Sequence, residues 1–345
     1  MRGRRAAVGC DPGGILDYVE QPPAMECKWA VPSLDVADLL RSGFLTAGAA
    51  ILAANSIPML RGRFIPYGAR SGQPSSGDGR ESDPKATSNA PPSASSPKHV
   101  LDYMATWNVP HSYFMHFYIV SVLSSLLWAL QLATRGPLFR AVAVTLNERN
   151  LRHAMSPGQV VLCWALLAIQ GARRLYECIT LTRPSASKMW FGHWLFGLGF
   201  YASMSVAIWI EGTATLLSSN ISLDDASLVT PSMKTMIFLP VFLIASGIQY
   251  DCHCYLASLK KYTLPEHPAF VRLVCPHYTA ECAIYLALSF LAAPKGELVN
   301  KTVFSGLLLV MINLGVSAGV SKDWYARRFG ADQVESKWKM IPRVY

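Results

Sequence analysis

The chain has 345 residues, of which 51% are apolar and only 15% are charged, and its formal net charge is +9. Soluble domains carry about a quarter charged residues, so this composition excludes an ordinary water-soluble protein and indicates a membrane protein. The basic residues lie in the loops and the tail beside the apolar segments, where positive charge sets membrane orientation. We therefore expect the lipid bilayer, and no nucleic acid, as the partner of the basic residues.

Seven apolar stretches have the length of transmembrane helices, which need about 17 to 25 residues. They are residues 42–60, 113–133, 159–181, 190–210, 236–254, 278–293 and 303–320. Residues 71–99 separate the first two stretches and are rich in Ser, Pro and Gly, a composition that predicts a disordered insert. The predicted fold class is therefore an all-α integral membrane protein with seven transmembrane helices.

Charge bias predicts how the seven helices are oriented. The N-terminal segment 1–41 lacks an apolar core of signal-peptide length and is expected to be lumenal, with no cleaved signal. Arg and Lys are more numerous on the side of the tail, 321–345, which is expected to be cytosolic. The glycosylation motifs that begin at Asn220 and Asn300 fall in loops that this orientation makes lumenal. The main domain, residues 42–345, is thus a multi-pass unit.

Two titratable residues in the sixth stretch, His277 and Glu281, are one helical turn apart and share a face. Such a pair either lies at the headgroup level or lines a functional site, because ionisable groups at membrane depth are costly. The third stretch adds Arg173, Arg174 and Glu177, and the fifth adds Gln249 and His253, all expected near the cytosolic ends. Because separate helices bring polar side chains to one depth, we favour a cavity that opens to the cytosol.

Other polar residues have less specific interpretations. Tyr113 and His116 begin the second stretch on the cytosolic side, where they either join the site or remain at the interface. His193 is expected in an aromatic belt and Glu211 in solvent. Asn313 is expected to form a hydrogen bond between helices. Neighbouring Cys and His residues at 252–254 point in different directions on a helix, so no metal site is predicted.

Five segments of the chain are similar to the steroid 5α-reductase family, and within it to the polyprenol reductase branch. They read VPHSYFMHFYIVS, QGARRLYEC, IQYDCHCYLASLKK, CPHYTAE and SKDWYARRFG…SKWKMIP, and the similarity runs from about residue 57 to 345 without the insert. The resemblance implies a seven-helix fold in the endoplasmic reticulum membrane, NADPH as the hydride donor and reduction of a carbon–carbon double bond. No soluble nucleotide-binding motif is present, so the cofactor is expected within the bundle and its cytosolic loops.

The resemblance also implies the roles of individual residues. Cofactor contacts are implied or expected at Arg174, Arg183, Gln249, His253, Lys260, His277, Glu281, Trp324 and Tyr325. The tyrosine with which steroid reductases polarise their substrate aligns here with Gly171, and Lys322 stands where the branch usually has His. The tail also lacks the usual acidic-Tyr-Pro turn. These departures favour a long isoprenoid over a steroid.

The expected reaction is reduction of the α-isoprene double bond in dolichol biosynthesis, which supports protein N-glycosylation. Hydride adds readily to an alkene only when a neighbouring group takes up the charge, so we expect polyprenal rather than polyprenol as the immediate substrate. His277 is the expected catalytic residue, with Tyr278 or His116 donating a hydrogen bond to the developing enolate.

Several alternative functions remain open. These are a steroid or enoyl-type reductase, a membrane methyltransferase of the isoprenylcysteine type and a transporter. A transporter predicts inverted repeats, which are not evident in the sequence.

Overall fold

The computed structural model describes residues 35–65, 97–183, 186–218, 232–260 and 263–345. The predicted N-terminal segment up to residue 34, residues 71–96 of the insert and the Asn220 motif lie outside these ranges. The insert was predicted to extend to residue 99, but a helix begins at Pro97.

The described residues are mostly helical. In chain order the helices are α1 Val36–Ser56, α2 Pro58–Phe64, α3 Pro97–Ala105, α4 Met115–Thr134, α5 Pro137–Ala143, α6 Glu148–Leu151, α7 Pro157–Leu181, α8 Phe191–Ile210, α9 Thr213–Ser218, α10 Met233–Ser258, α11 Pro276–Leu291 and α12 Lys301–Phe329. Two short antiparallel strands, β1 Asn108–Pro110 and β2 Lys188–Trp190, tie the start of α4 to the start of α8.

Five helical segments of the described chain are long and apolar enough to cross a membrane. They are Val36–Ser56, His111–Thr134, Phe191–Ile210, Met233–Ser258 and Lys301–Phe329, and each overlaps a predicted span. The other two predicted spans coincide with α7 and α11. The first of these carries Arg173, Arg174 and Glu177 in its second half, and the second has 16 residues. Five of the seven predicted spans are thus confirmed as apolar helices, and the remaining two stay predictions.

The first predicted span has different ends in the structure because local capping sets them. The side chain of Asp35 accepts hydrogen bonds from the backbone N–H groups of Ala37 and Asp38, so α1 begins six residues before the predicted start at residue 42. The helix ends at Ser56, because Ile57 is extended and Pro58 starts α2. Steric contact with a proline ring disfavours the helical conformation at the preceding residue, which explains the break between α1 and α2.

The last helix is longer than the predicted span, which ended at residue 320. No Gly or Pro interrupts the chain between Ser321 and Phe329, and α12 continues until Gly330, whose φ of 104° ends it. The residues that follow fold back on the bundle instead of forming a free tail. Backbone N–H groups of Val274 and Cys275 donate to the carbonyls of Trp338 (2.8 Å) and Lys339 (3.0 Å).

A buried ion pair joins the opposite end of the bundle. Glu211 follows α8 and is only 6% exposed, so the expectation that it would be solvated is wrong. Its Oε1 accepts hydrogen bonds from Arg41 Nη2 (2.9 Å), Thr302 N (2.8 Å) and Thr302 Oγ1 (2.7 Å). Because these residues lie on α1 and α12, one carboxylate fixes three helices at this end.

Replacing Glu211 with Gln should lower the free energy of unfolding by about 2 kcal/mol, since the charged partner of Arg41 is lost in a buried position. Chemical denaturation of the purified protein in detergent measures this. Asp38→Asn is the matched control, because Asp38 also pairs with Arg41 but its side chain is 52% exposed. That variant should lose at most about 1 kcal/mol. Equal losses in both would contradict the role of the buried pair.

Candidate active site

A cavity of about 190 Å³ lies between six helices of the bundle. It is lined by Phe114, Phe117, Tyr118, Arg174, Met189, His193, Phe196, Gly197, Phe200, Tyr201, Gln249, His253, His277, Tyr278, Glu281, Leu309, Val310, Asn313, Leu314 and Ser317. The polar and titratable side chains come mainly from α7, α10 and α11, and the aromatic ones mainly from α4 and α8. The cavity therefore has a polar half and an aromatic half.

The polar half is organised by one buried carboxylate. Glu177 is 3% exposed and accepts hydrogen bonds from Arg173 and Arg174, which are one turn before it on α7. His253 Nδ1 lies 2.7 Å from Glu177 Oε2 and 2.7 Å from Arg174 Nη1. A carboxylate beside Nδ1 favours the proton on that nitrogen. A single acid thus accepts from both arginines and from the histidine, and it offsets one of the two guanidinium charges.

Gln249 connects this cluster to α11. Its Oε1 accepts hydrogen bonds from Gln170 Nε2 (2.9 Å) and from Arg173 Nη2, while its Nε2 donates to Glu281 Oε2. The amide is buried, and both of its ends are therefore engaged with α7 and α11. This bridge orients the Glu281 carboxylate at the cavity wall.

His277 and Tyr278 stand on the first turn of α11, directly after Pro276. The His277 ring lies 4.4 Å from the Tyr278 ring and 5.5 Å from the His253 ring, measured between centroids. The fold-back of residues 330–345 supports this turn, since Thr279 Oγ1 donates to the carbonyl of Met340. The segment that leads into α11 is thus held by hydrogen bonds to backbone carbonyls, which fixes the side chains of His277 and Tyr278 relative to α10.

The aromatic half is formed where α4 packs on α8. A Cβ on Gly197 would lie 2.6 Å from the Phe117 ring, so a glycine at this position lets the two helices approach closely. The rings of Phe117 and Tyr201 stack with centroids 6.2 Å apart. Together with Phe114, Phe196 and Phe200, these rings give the cavity an apolar wall.

Six of the predicted site residues line the cavity: Arg174, Gln249, His253, His277, Tyr278 and Glu281. The other five are not among the lining residues: His116, Arg183, Lys260, Trp324 and Tyr325. The His116 ring faces Tyr113 and Trp194, at centroid distances of 4.5 and 6.2 Å, because it lies on a different side of α4. Trp324 and Tyr325 continue α12 past the cavity, where their rings pack on each other and on Phe329.

Arg183 and Lys260 lie at the ends of α7 and α10, beyond the polar half. Both side chains are exposed, and Arg183 Nη1 lies 3.5 Å from the carbonyl of Leu259, the neighbour of Lys260. Neither forms an ion pair with any residue in the described ranges. Two cations are therefore available at this end of the helices.

Other residues that line the cavity were not predicted to belong to it. His193 and Asn313 had been assigned to an interface belt and to a helix contact, and Tyr118 and Tyr201 were not singled out. Tyr118 lies in the quoted segment VPHSYFMHFYIVS, two residues after His116, so the segment was recognised but the face of α4 was not. Its hydroxyl oxygen accepts hydrogen bonds from Arg174 Nη2 (2.8 Å) and Nε (3.2 Å).

Comparison with known proteins gives two concordant results. Residues 204–345 match the family described as 3-oxo-5-alpha-steroid 4-dehydrogenase. The chain is also similar to the polyprenal reductase of Xenopus laevis, with 27% identity over 70% of this chain and 80% of the relative. Polyprenal reductase 2 of Oryza sativa subsp. japonica is 26% identical over 73% and 84% of the two chains. The polyprenal reductase of Saccharomyces cerevisiae is 29% identical over 71% and 78%.

Replacing Glu177 with Gln should lower the free energy of unfolding by about 3 kcal/mol, because two buried arginines lose the anion that compensates them. Denaturation in detergent measures the change. Asp251→Asn, a charge removal on α10 at a side chain that is 63% exposed, is the control and should cost at most about 1 kcal/mol. If both variants unfolded alike, Glu177 would not be the centre of the cluster.

Proposed function

We propose that this member of the steroid 5α-reductase family, from its polyprenol reductase branch, uses NADPH to saturate the α-isoprene double bond of polyprenal in dolichol biosynthesis. The observation that carries the proposal is the divided cavity, in which a polar half faces an aromatic half. A reaction between a charged nucleotide and an apolar lipid needs both environments in contact. The relatives named polyprenal reductase support the same activity.

The residues present fit a nicotinamide dinucleotide. The polar half offers acceptors and donors that a carboxamide requires, namely the carboxylate of Glu281, the amide of Gln249 and the imidazole of His253. The phosphates need cations. Arg183 and Lys260 lie beyond the polar half, and neither forms an ion pair with a described acidic residue. When bound, NADPH supplies a hydride. Trp324 and Tyr325 stay proposed cofactor contacts at the end of α12.

The chain's own residues then bind and orient the reacting groups. His277 and Glu281 are proposed to orient the nicotinamide side of the cavity, while the rings of α4 and α8 bind the first isoprene units. Hydride addition to the C3 carbon of an α,β-unsaturated aldehyde moves charge to the carbonyl oxygen. A hydrogen-bond donor at that oxygen lowers the barrier by about 3 to 4 kcal/mol. An allylic alcohol has no such acceptor, which favours polyprenal as the substrate.

A steroid substrate is the second candidate, because the matching family is described by a steroid reaction. The packing of α7 against α4 disfavours it. A Cβ on Gly171 would lie 2.6 Å from Ser121 Oγ, so the tyrosine that steroid reductases carry at this position has no room here. The observed contact therefore supports the isoprenoid.

We further propose that the protein lies in the endoplasmic reticulum membrane with seven spans and a cytosolic C-terminus. In this orientation the polar half and the cations at residues 183 and 260 face the cytosol, where NADPH is available. The spans on α7 and α11 have polar faces because those faces line the cavity instead of contacting lipid.

Incubation of the purified protein with NADPH should convert polyprenal to a product two hydrogens heavier, detected by mass spectrometry. Polyprenol and a 3-oxo-4-ene steroid are the parallel substrates and should remain unchanged. Saturation of polyprenol with polyprenal untouched would contradict the proposed substrate, and turnover of the steroid alone would favour the second candidate. Thermal protection by S-adenosylmethionine instead of NADPH would indicate a methyltransferase.

Replacing His277 with Ala should lower kcat by about 10²- to 10⁴-fold, since an oriented imidazole at the reacting centre is lost. The melting temperature should stay within a few degrees, because the ring lines a cavity. Steady-state kinetics with polyprenal measure the effect. His153→Ala, at the other end of the bundle, is the control and should match the wild type. A near-normal kcat for the His277 variant would remove this residue from the site.

A further inference from the structure

Tyr118 occupies the boundary between the two halves of the cavity. Its ring lies 4.8 Å from the Arg174 guanidinium carbon on the polar side and 5.2 and 5.6 Å from the Tyr201 and Phe114 rings on the aromatic side. The residue is 4% exposed and lines the cavity. In the proposed function, the aldehyde must meet the hydride donor at this boundary, so its carbonyl oxygen lies near the hydroxyl of Tyr118.

The hydrogen bonds of Tyr118 determine which way its proton points. A tyrosine hydroxyl has one hydrogen to donate and two lone pairs to accept with. Arg174 Nη2 (2.8 Å) and Nε (3.2 Å) both donate to this oxygen, which uses the two lone pairs. An oxygen that accepts from the guanidinium keeps its own O–H for an acceptor, and a substrate oxygen that enters the cavity supplies one.

Arg174 also prepares the oxygen for the loss of its proton. A guanidinium stays protonated, so its positive charge remains beside the Tyr118 oxygen throughout a reaction cycle. Glu177 holds Arg174 in place by accepting a hydrogen bond from its Nη1. Two N–H donors thus point at the phenol oxygen, the atom on which negative charge develops. They stabilise the phenolate in the way that the donors of an oxyanion hole stabilise a substrate oxygen.

We propose that Tyr118 is the catalytic proton donor to the carbonyl oxygen of the unsaturated aldehyde, an inference that rests on the proposed function. Hydride forms the new C–H bond at C3, the C2–C3 π electrons shift toward the carbonyl, and the carbonyl oxygen takes the proton of Tyr118. The cofactor is oxidised by two electrons and the aldehyde is reduced by two. The resulting enol loses its O–H proton and gains one at C2, and the phenolate regains a proton from water.

The other two candidate donors lack this arrangement. His116 is absent from the lining of the cavity and faces Tyr113 and Trp194. Tyr278 does line the cavity, and its ring lies 4.4 Å from that of His277, on the polar side. Tyr118 lies at the boundary itself and has a guanidinium directed at its oxygen by two hydrogen bonds.

The test compares three tyrosine-to-phenylalanine variants of the full-length protein in detergent. Tyr118→Phe should lower kcat for polyprenal by about 10²- to 10³-fold, the typical cost of removing a donor to a developing oxyanion. Its Kd for NADPH, measured by fluorescence, should change less than about twofold, since the hydroxyl serves the substrate. Tyr278→Phe should lose less than Tyr118→Phe. Tyr176→Phe, an exposed tyrosine on α7, is the control and should match the wild type.

A loss of less than tenfold in the Tyr118 variant, or a larger loss in the Tyr278 variant, would overturn the assignment. If Tyr118→Phe does not fold, site-specific incorporation of 3-fluorotyrosine at position 118 replaces it, because fluorine makes the phenol more acidic and keeps its size. The alkaline limb of the kcat–pH profile should then move to lower pH, and an unmoved limb would reject Tyr118. If the wild type itself leaves polyprenal unchanged, the proposed function fails and this inference falls with it.

Discussion

The pairing of Glu177 with two neighbouring arginines is the constraint on which the cavity depends. Arg173 and Arg174 are adjacent on α7, inside a bundle whose outer faces are apolar, so their charges must be compensated by protein groups. Glu177, one acid a turn away, pairs with both arginines and also contacts His253. The pair also ties α4 and α10 to α7, because Arg174 donates to Tyr118 and Arg173 donates to Gln249.

The division of the cavity suits the two partners proposed for it. A dinucleotide would approach from water and an isoprenoid from the bilayer, so neither would have to pass through the other's half. Helices α7, α10 and α11 keep their polar faces together, so these faces avoid lipid while the helices stay within the bundle. The rings on α4 and α8 give the other half an apolar surface that is stiff and closely packed.

The helices and the polar layer could be predicted from sequence because both follow from local spacing. The five confirmed spans were predicted from the length of their apolar runs. The polar faces were predicted from residues one turn apart, such as Gln249 and His253. The family resemblance is confirmed by the comparisons. The helix ends could not be predicted from apolar length, because they depend on capping by Asp35 and on the positive φ of Gly330. Tyr118 was missed because its partner Arg174 is 56 residues away, and a single tyrosine in an apolar helix gives no periodic signal.

The fold-back of residues 330–345 has a consequence for the order of assembly during synthesis. The turn that carries His277 and the residues just before it donate hydrogen bonds to the carbonyls of Trp338, Lys339 and Met340, which leave the ribosome after helices α1 to α12. Helices α1 to α11 can insert and associate earlier, yet the entrance to α11 lacks those partners until residues 338–340 have been synthesised. Completion of the cavity wall around His277 is therefore a late, post-insertion event in the biogenesis of the protein.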